Sequence, residues 1–102
     1  MDGLEYIMIH SSFEWDQKKD LDNQKKHHVT FETAQFAFLD KNRVIAEDIE
    51  HSQKEYRYFC FGMIDRNILT VRFTYRNQKI RIFGAGYWRK GKQIYEKENT
   101  LY

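Results

Sequence analysis

A chain of 102 residues with 41% hydrophobic and 17% aromatic content suffices for one domain, built on a core of bulky rings, and leaves little for a second. Its formal net charge is +2, and its single cysteine, Cys60, excludes an internal disulfide and a cysteine-rich zinc site. No apolar run approaches the ~18 residues of a membrane span, and the start "MDGLEYIMIHSS" lacks the basic region of a secretory signal, so the expected compartment is the reducing cytoplasm.

The first strand is expected in "YIMI" (Tyr6 to Ile9) or in "SSFEW" (Ser11 to Trp15), with the register open. Asp16 is the expected N-cap of a helix through "QKKDLDNQKKHH", which is polar nearly all round and needs tertiary support to stay helical. Thr30 caps a second helix, in which Phe31, Ala34 and Phe38 form one apolar stripe and Val29 staples back towards Ala34. A short extended piece, "RVIAED", precedes a strand-rich block. There "YRYFCFGMI" and "ILTVRFTY" flank the loop signal "DRN", while "TVRFTY" and "KIRIFG" flank a turn at Asn77 and Gln78. The segment from Trp88 to Asn99 reads as a final helix, although Gly91 inside it costs about 1 kcal/mol relative to alanine. This order predicts an α+β fold with two N-terminal helices packed on an antiparallel three- to four-stranded sheet and a C-terminal helix.

Charge is unevenly spread. Residues 1–55 carry a balance of −5 and residues 56–102 a balance of +7, which points to an anionic partner for the basic half. With Asn77 and Gln78 in the turn, Tyr75 faces Ile80, Phe73 faces Ile82, Thr74 faces Arg81 and Arg72 faces Phe83. Centring the earlier hairpin on Arg66 sets Phe59 and Phe61 beside Phe73 and Val71, Tyr58 beside Thr74, and Tyr56 beside Arg76. One face then carries Phe59, Phe61, Met63, Leu69, Val71, Phe73, Ile80 and Ile82, ready to receive the helices. The other carries Tyr56, Tyr58, Arg72, Thr74, Arg76, Lys79 and Arg81. Neighbouring arginines repel without a counterion, whereas guanidinium groups suit phosphates and phenol rings suit unpaired bases, so this face fits single-stranded nucleic acid. The plainer alternative is a charged surface that merely solvates the strands.

The blocks "FEWDQKKDLDNQKKHHVTFETA" (Phe13 to Ala34), "HSQKEYRYFCFG" (His51 to Gly62) and "KIRIFGAGYWRKGKQIYE" (Lys79 to Glu96) resemble the BrnT toxins of bacterial type II toxin-antitoxin systems. The resemblance covers nearly all of residues 1–102 as a single toxin domain. It implies a RelE/ParE-like fold and a ribonuclease that inhibits translation. It also implies neutralisation by a BrnA-like ribbon-helix-helix antitoxin, in a 2:2 heterotetramer that meets operator DNA only through the antitoxin. Trp15 and Asp16 match the "FEWD" block, and Lys19, Asn23, Lys26 and His27 follow its spacing. His51, Ser52, Glu55 and Arg57 match "HS..E.R", and Arg76 and Arg81 match the cationic positions of the last two strands. Two departures stand out. His28 occupies a place where the family often has glycine, and Gly84, Ala85 and Gly86 stand where many members have "SAR", so Arg89 or Lys90 is the expected substitute for the arginine.

Cleavage of RNA by its own 2′-hydroxyl needs a base for that hydroxyl, charge stabilisation at phosphorus and an acid for the leaving 5′-oxygen. Arg57, Arg76 and Arg81 are the candidates for stabilising the phosphate. Glu55 and His51, or His27 with Lys26, are the candidates for proton transfer. Arg72, Lys79, Tyr56, Tyr58, Arg89 and Lys90 are expected to bind RNA, and neither a metal nor a cofactor is required. Each role has a structural rival. Arg57 falls on the apolar side in this register and can pair with Glu55, while His27 and His28 suit the C-terminal end of a helix dipole. Cys60 reads as a small buried hydrophobe, Tyr87 and Trp88 as packing residues, and His10, His27, His28 and His51 lack the spacing of a zinc site. The competing function is a non-catalytic module that binds RNA or a protein through the basic face.

Overall fold

In the computed structural model, which describes residues 12–100, the chain runs β1 (Phe13–Trp15), α1 (Gln17–His27), α2 (Phe31–Ala34) and a 3₁₀ continuation (Gln35–Leu39). It goes on through β2 (Val44–Glu47), a 3₁₀ turn (Ile49–His51), β3 (Tyr58–Ile64), β4 (Asn67–Arg76), β5 (Lys79–Gly86) and α3 (Arg89–Asn99). The expected caps start both N-terminal helices. Asp16 accepts from the backbone N–H of Lys18 (2.8 Å) and Lys19 (3.2 Å), bonds that hold its carboxyl below the usual range, and Thr30 Oγ1 accepts from Thr33 N–H at 3.0 Å.

The strands form one five-stranded sheet in the order β1-β5-β4-β3-β2, mixed because β1 runs parallel to β5. It is therefore larger than the three- to four-stranded antiparallel sheet expected. "RVIAED" and "SSFEW" each contribute an edge strand, and the alternative at Tyr6 to Ile9 lies outside the described residues.

Both hairpins close through two residues, Asp65 and Arg66 in the first and Asn77 and Gln78 in the second. Their φ values of 49°, 71°, 53° and 65° are those of type I′ turns, whose twist matches the flanking strands. The second hairpin has the expected register from Arg76↔Lys79 to Phe73↔Ile82. A bulge follows, so Arg72 pairs with Gly84 and not with Phe83, which becomes the extra residue. The first hairpin differs from expectation by one step: Ile64 pairs with Asn67, Phe59 with Arg72 and Tyr58 with Phe73. A one-residue slip exchanges the faces of a strand. Phe59, Phe61 and Met63 therefore share the face of Arg72, while Tyr58 lies on the opposite face, stacked on Phe73 at 5.5 Å.

Each face has its own cover. Phe31, Ala34, Ala37 and Phe38 pack on Cys60, Leu69, Val71, Phe73, Ile80 and Ile82, all fully or almost fully buried. On the other face, α3 brings Ile94 and Tyr95 onto Phe59, Phe61 and Ile68. Gly91 makes that approach possible, since a Cβ there would run into Thr70 Oγ1. The helix propensity it sacrifices is exchanged for packing.

The support that polar α1 needs is itself polar. β1 pairs with β5 only over Ile80 to Ile82. Farther along β5, the Asn23 side chain takes the place of a strand: Nδ2 donates to Ala85 O at 2.9 Å and Oδ1 accepts from Ala85 N–H at 3.1 Å. Nδ2 also donates to Val29 O at 2.9 Å, and buried Asp20 accepts from Phe31 N–H at 2.9 Å. The helix ends at His28, whose φ of 60° is the left-handed cap conformation that glycine adopts without strain.

Candidate functional site

The edge position of α1 leaves a cleft of about 350 Å³ between this helix and the cationic face of the sheet. Lys19, Asp22, Asn23, Lys26 and His27 line it from the helix; Arg57, Arg72, Phe83, Gly84 and Trp88 line it from the other side. The bulge turns the Phe83 ring into this space. The Arg57 guanidinium lies 4.3 Å from the ring centroid and the Lys19 ammonium 5.2 Å, both within cation–π range. Four cations thus converge against one acidic side chain, Asp22. His27 meets the Trp88 indole edge-on at 5.1 Å, so it both ends α1 and lines the cleft.

A second hollow of about 290 Å³ adjoins the first through Arg57 and is lined also by Glu50, His51, Gln53, Lys54 and Glu55. Its loop is tied to itself. Ser52 Oγ donates to Asp48 O (2.7 Å) and accepts from Arg57 N–H (2.9 Å), while Asp48 N–H donates to Arg57 O (2.7 Å). His51 Nδ1 lies 2.8 Å from the carboxylate of buried Asp48, with the His51 side chain 51% exposed. These bonds place Arg57 beside Arg72 on the cationic face rather than on the apolar side.

The arginines are less exposed to one another than the sequence implies. Arg76 Nη2 donates to both Glu55 oxygens, at 2.8 and 3.1 Å, and Arg57 lies 3.7 Å from the same carboxylate. Arg81 lies 3.7 Å from Glu14. Arg72 makes no ion pair among the described residues and reaches the cleft directly.

Other candidates separate from this group. Lys79 is exposed at the second turn, opposite Arg76, and Tyr56 is exposed in the loop before β3. Tyr58, on the other face, does not meet the cations. Thr74 is buried and not solvated, with its hydroxyl donating to Tyr56 O at 2.5 Å. Arg89 and Lys90 lie beyond Trp88 and line other hollows, and neither lines the cleft. A Cβ on Gly86 would come within 2.5 Å of the Trp88 ring, so the indole occupies the room of a side chain there. Trp15 packs edge-on against Phe31 at 6.2 Å and belongs to the core. The sequence reading missed Phe83 and Asp48 and gave Trp88 to packing. The spacing of Asp48 three residues before His51 was the available signal for one of them.

Burial pushes the Cys60 thiol up to about 12, consistent with a small core hydrophobe. Among the described residues no three His, Cys, Asp or Glu side chains group as metal ligands, and His10 lies outside them. No helix among them is long and apolar enough to cross a membrane.

A family model described as the ribonuclease toxin BrnT of a type II toxin-antitoxin system matches residues 15–91. No curated protein matches the chain. The matched span runs from Trp15 at the end of β1 through α1 and β2 to β5 to the start of α3, and it includes the residues lining both hollows.

Proposed function

The chain belongs to the BrnT family of ribonuclease toxins, and on that premise we propose that RNA is held and cut in the cleft between α1 and the sheet. As a type II toxin it is a ribonuclease with an antitoxin partner. The observation that carries the site is the convergence of Arg57, Arg72, Lys19 and Lys26 on one cleft that also holds His27 and two aromatic rings.

In the proposed reaction a base takes the proton of the 2′-hydroxyl, and the oxygen attacks the adjacent phosphorus. Negative charge then grows on the phosphoryl oxygens, where Arg57 and Arg72 stabilise it. The bond to the 5′-oxygen breaks as that oxygen receives a proton, leaving a 2′,3′-cyclic phosphate and a 5′-hydroxyl. An imidazole can take the first proton and return one to the leaving group, and His27 is the histidine that lines the cleft. Phe83 fixes Arg57 by a cation–π contact, which supports a preorganised donor. Arg76 and Arg81, each facing a carboxylate, stand outside the cleft and would meet a phosphate only by exchanging that partner for it.

A second reading places proton transfer at His51. Asp48 holds Nδ1 and leaves Nε2 for a substrate, with Glu55, Arg57 and Arg76 beside it. Cleavage of a single-stranded RNA in the presence of chelator, with analysis of the new ends, separates these readings. His27→Ala should lower the rate about 10²–10⁴-fold, with His51→Ala much milder. The reverse order moves the reaction to the second hollow. Ends carrying 3′-hydroxyl and 5′-phosphate would refute attack by the 2′-hydroxyl.

The partner we propose is a BrnA-like ribbon-helix-helix protein in a 2:2 assembly that masks the cationic face and carries any operator binding. The layered arrangement is compatible with a RelE/ParE-like fold, and the setting we propose is the cytoplasm, where RNA cleavage arrests translation. Growth arrest on expression of the toxin alone, relieved by the partner, is the expected phenotype.

A further inference from the structure

Beyond Trp88 lies a hollow of about 310 Å³ that has no part in the chemistry described above. Arg66, Arg89 and Lys92 line it with the rings of Tyr87 and Trp88, and no acidic side chain does so. All three cations are exposed, and none is ion-paired among the described residues, unlike Arg76 and Arg81. Asp65, next to Arg66 in the turn, does not line the hollow.

Both backbone settings act against these cations. Arg66 sits at φ 71°, where glycine or asparagine is the unstrained choice. Arg89, Lys90 and Lys92 stand at the N-terminal end of α3, whose first turn has no acidic residue to balance the helix dipole. Mutual repulsion and the dipole both favour an anion between them. Trp88 is the common wall, since its indole lines the catalytic cleft on one side and this hollow on the other. A single strand leaving the cleft past Trp88 therefore enters a second cationic space, where Tyr87, 47% exposed, offers a ring to an unpaired base.

We propose that the hollow formed by Arg66, Arg89, Lys92 and Tyr87 is an exosite for single-stranded RNA flanking the cleavage position. This rests on the cleft being the RNA site and adds a length preference: RNA reaching past Trp88 is held more tightly than RNA that fills the cleft alone.

The test uses two single-stranded RNAs made uncleavable by 2′-O-methyl groups, one of about 12 nucleotides and one trinucleotide. Binding is measured across a salt series for the wild type and for the variant Arg66→Gly, Arg89→Ala, Lys92→Ala. Glycine is chosen at position 66 to keep the left-handed turn. The advantage of the longer RNA should fall in the variant. The slope of log affinity against log salt for that RNA should become shallower by about 2, at about 0.7 per phosphate released. Unchanged affinity for the longer RNA, or an equal loss for both lengths, would overturn the exosite. So would a loss confined to the purified antitoxin, which would assign the hollow to a protein partner. Arg72→Ala reports on the cleft separately: if it leaves trinucleotide binding intact, the cleft reading fails whatever the variant shows.

Discussion

Replacing Asn23 with alanine removes a side chain that stands in for a β-strand. Its amide makes three bonds, at 2.9, 2.9 and 3.1 Å, to the backbone of Val29 and Ala85, and the residue is only 7% exposed. A hydrogen bond contributes about 1 kcal/mol net, and a buried backbone group left without a partner costs about 1–3 kcal/mol. Three lost bonds with partial water access thus amount to about 3–5 kcal/mol, a large share of the 5–15 kcal/mol typical of a domain. At roughly 4–8 °C per kcal/mol for a domain near this size, the melting temperature should fall by at least about 12 °C. Urea titration and thermal melts measure this loss. Cleavage assayed well below the variant's melting temperature should also fall, because α1 carries Lys19, Lys26 and His27 into the cleft. Asn23→Asp is the sharper probe, since it keeps the shape but sets a carboxylate against two carbonyl oxygens. It should be at least as damaging at neutral pH and recover in part as the pH falls, when protonation restores one donor. A loss below about 1 kcal/mol for Asn23→Ala would mean that water serves these backbone groups and that the side chain does not dock the helix.

His28→Gly should raise stability by about 0.5–1 kcal/mol, because the residue is held at φ 60°; an unchanged urea midpoint would refute that account. Gly91→Ala should lower stability by about 1–3 kcal/mol in thermal melts despite better helix propensity, since its methyl would strike Thr70 Oγ1, and pairing it with Thr70→Ala should recover part of the loss. Burial, and then donation to Asp40, push the Tyr95 hydroxyl from 10.0 up to about 12. Its contribution is therefore complete below about pH 10 and lost as the pH rises towards 12, and Tyr95→Phe should flatten melting temperature over that window. Burial alone would raise the Asp40 carboxyl, but bonds from Tyr95 and from the N–H of Met63 and Asn42 carry it below its usual 3.8. Its contribution is present above that value and lost in stronger acid, so Asp40→Asn should weaken the acid dependence of stability.

Much of the local structure was legible because its causes lie within a few residues. The Asp16 and Thr30 caps, the buried stripe of Phe31, Ala34 and Phe38, and the Asn77–Gln78 turn are all where the sequence placed them. The register of β3 was not legible. "YFCF" is apolar at every position because helices cover both faces of the sheet, so alternation carried no information there. Asp65 and Arg66 also form a two-residue turn without glycine, which weakened the one cue that would have set the register.

Composition, charge asymmetry and the three family blocks were sufficient by themselves to identify a ribonuclease toxin with a basic C-terminal half, because these depend on which residues occur and in what order. The placement of Arg57 beside Arg72, the pairing of Glu55 with Arg76, the turn of Phe83 into the cleft and the use of Trp88 as a wall between two hollows were decided only by the tertiary structure. Each depends on a bulge, a one-residue register or a helix docked through one side-chain amide. Such features are selected by the packing of segments distant in the chain, and their energies have no counterpart in the propensities of neighbouring residues.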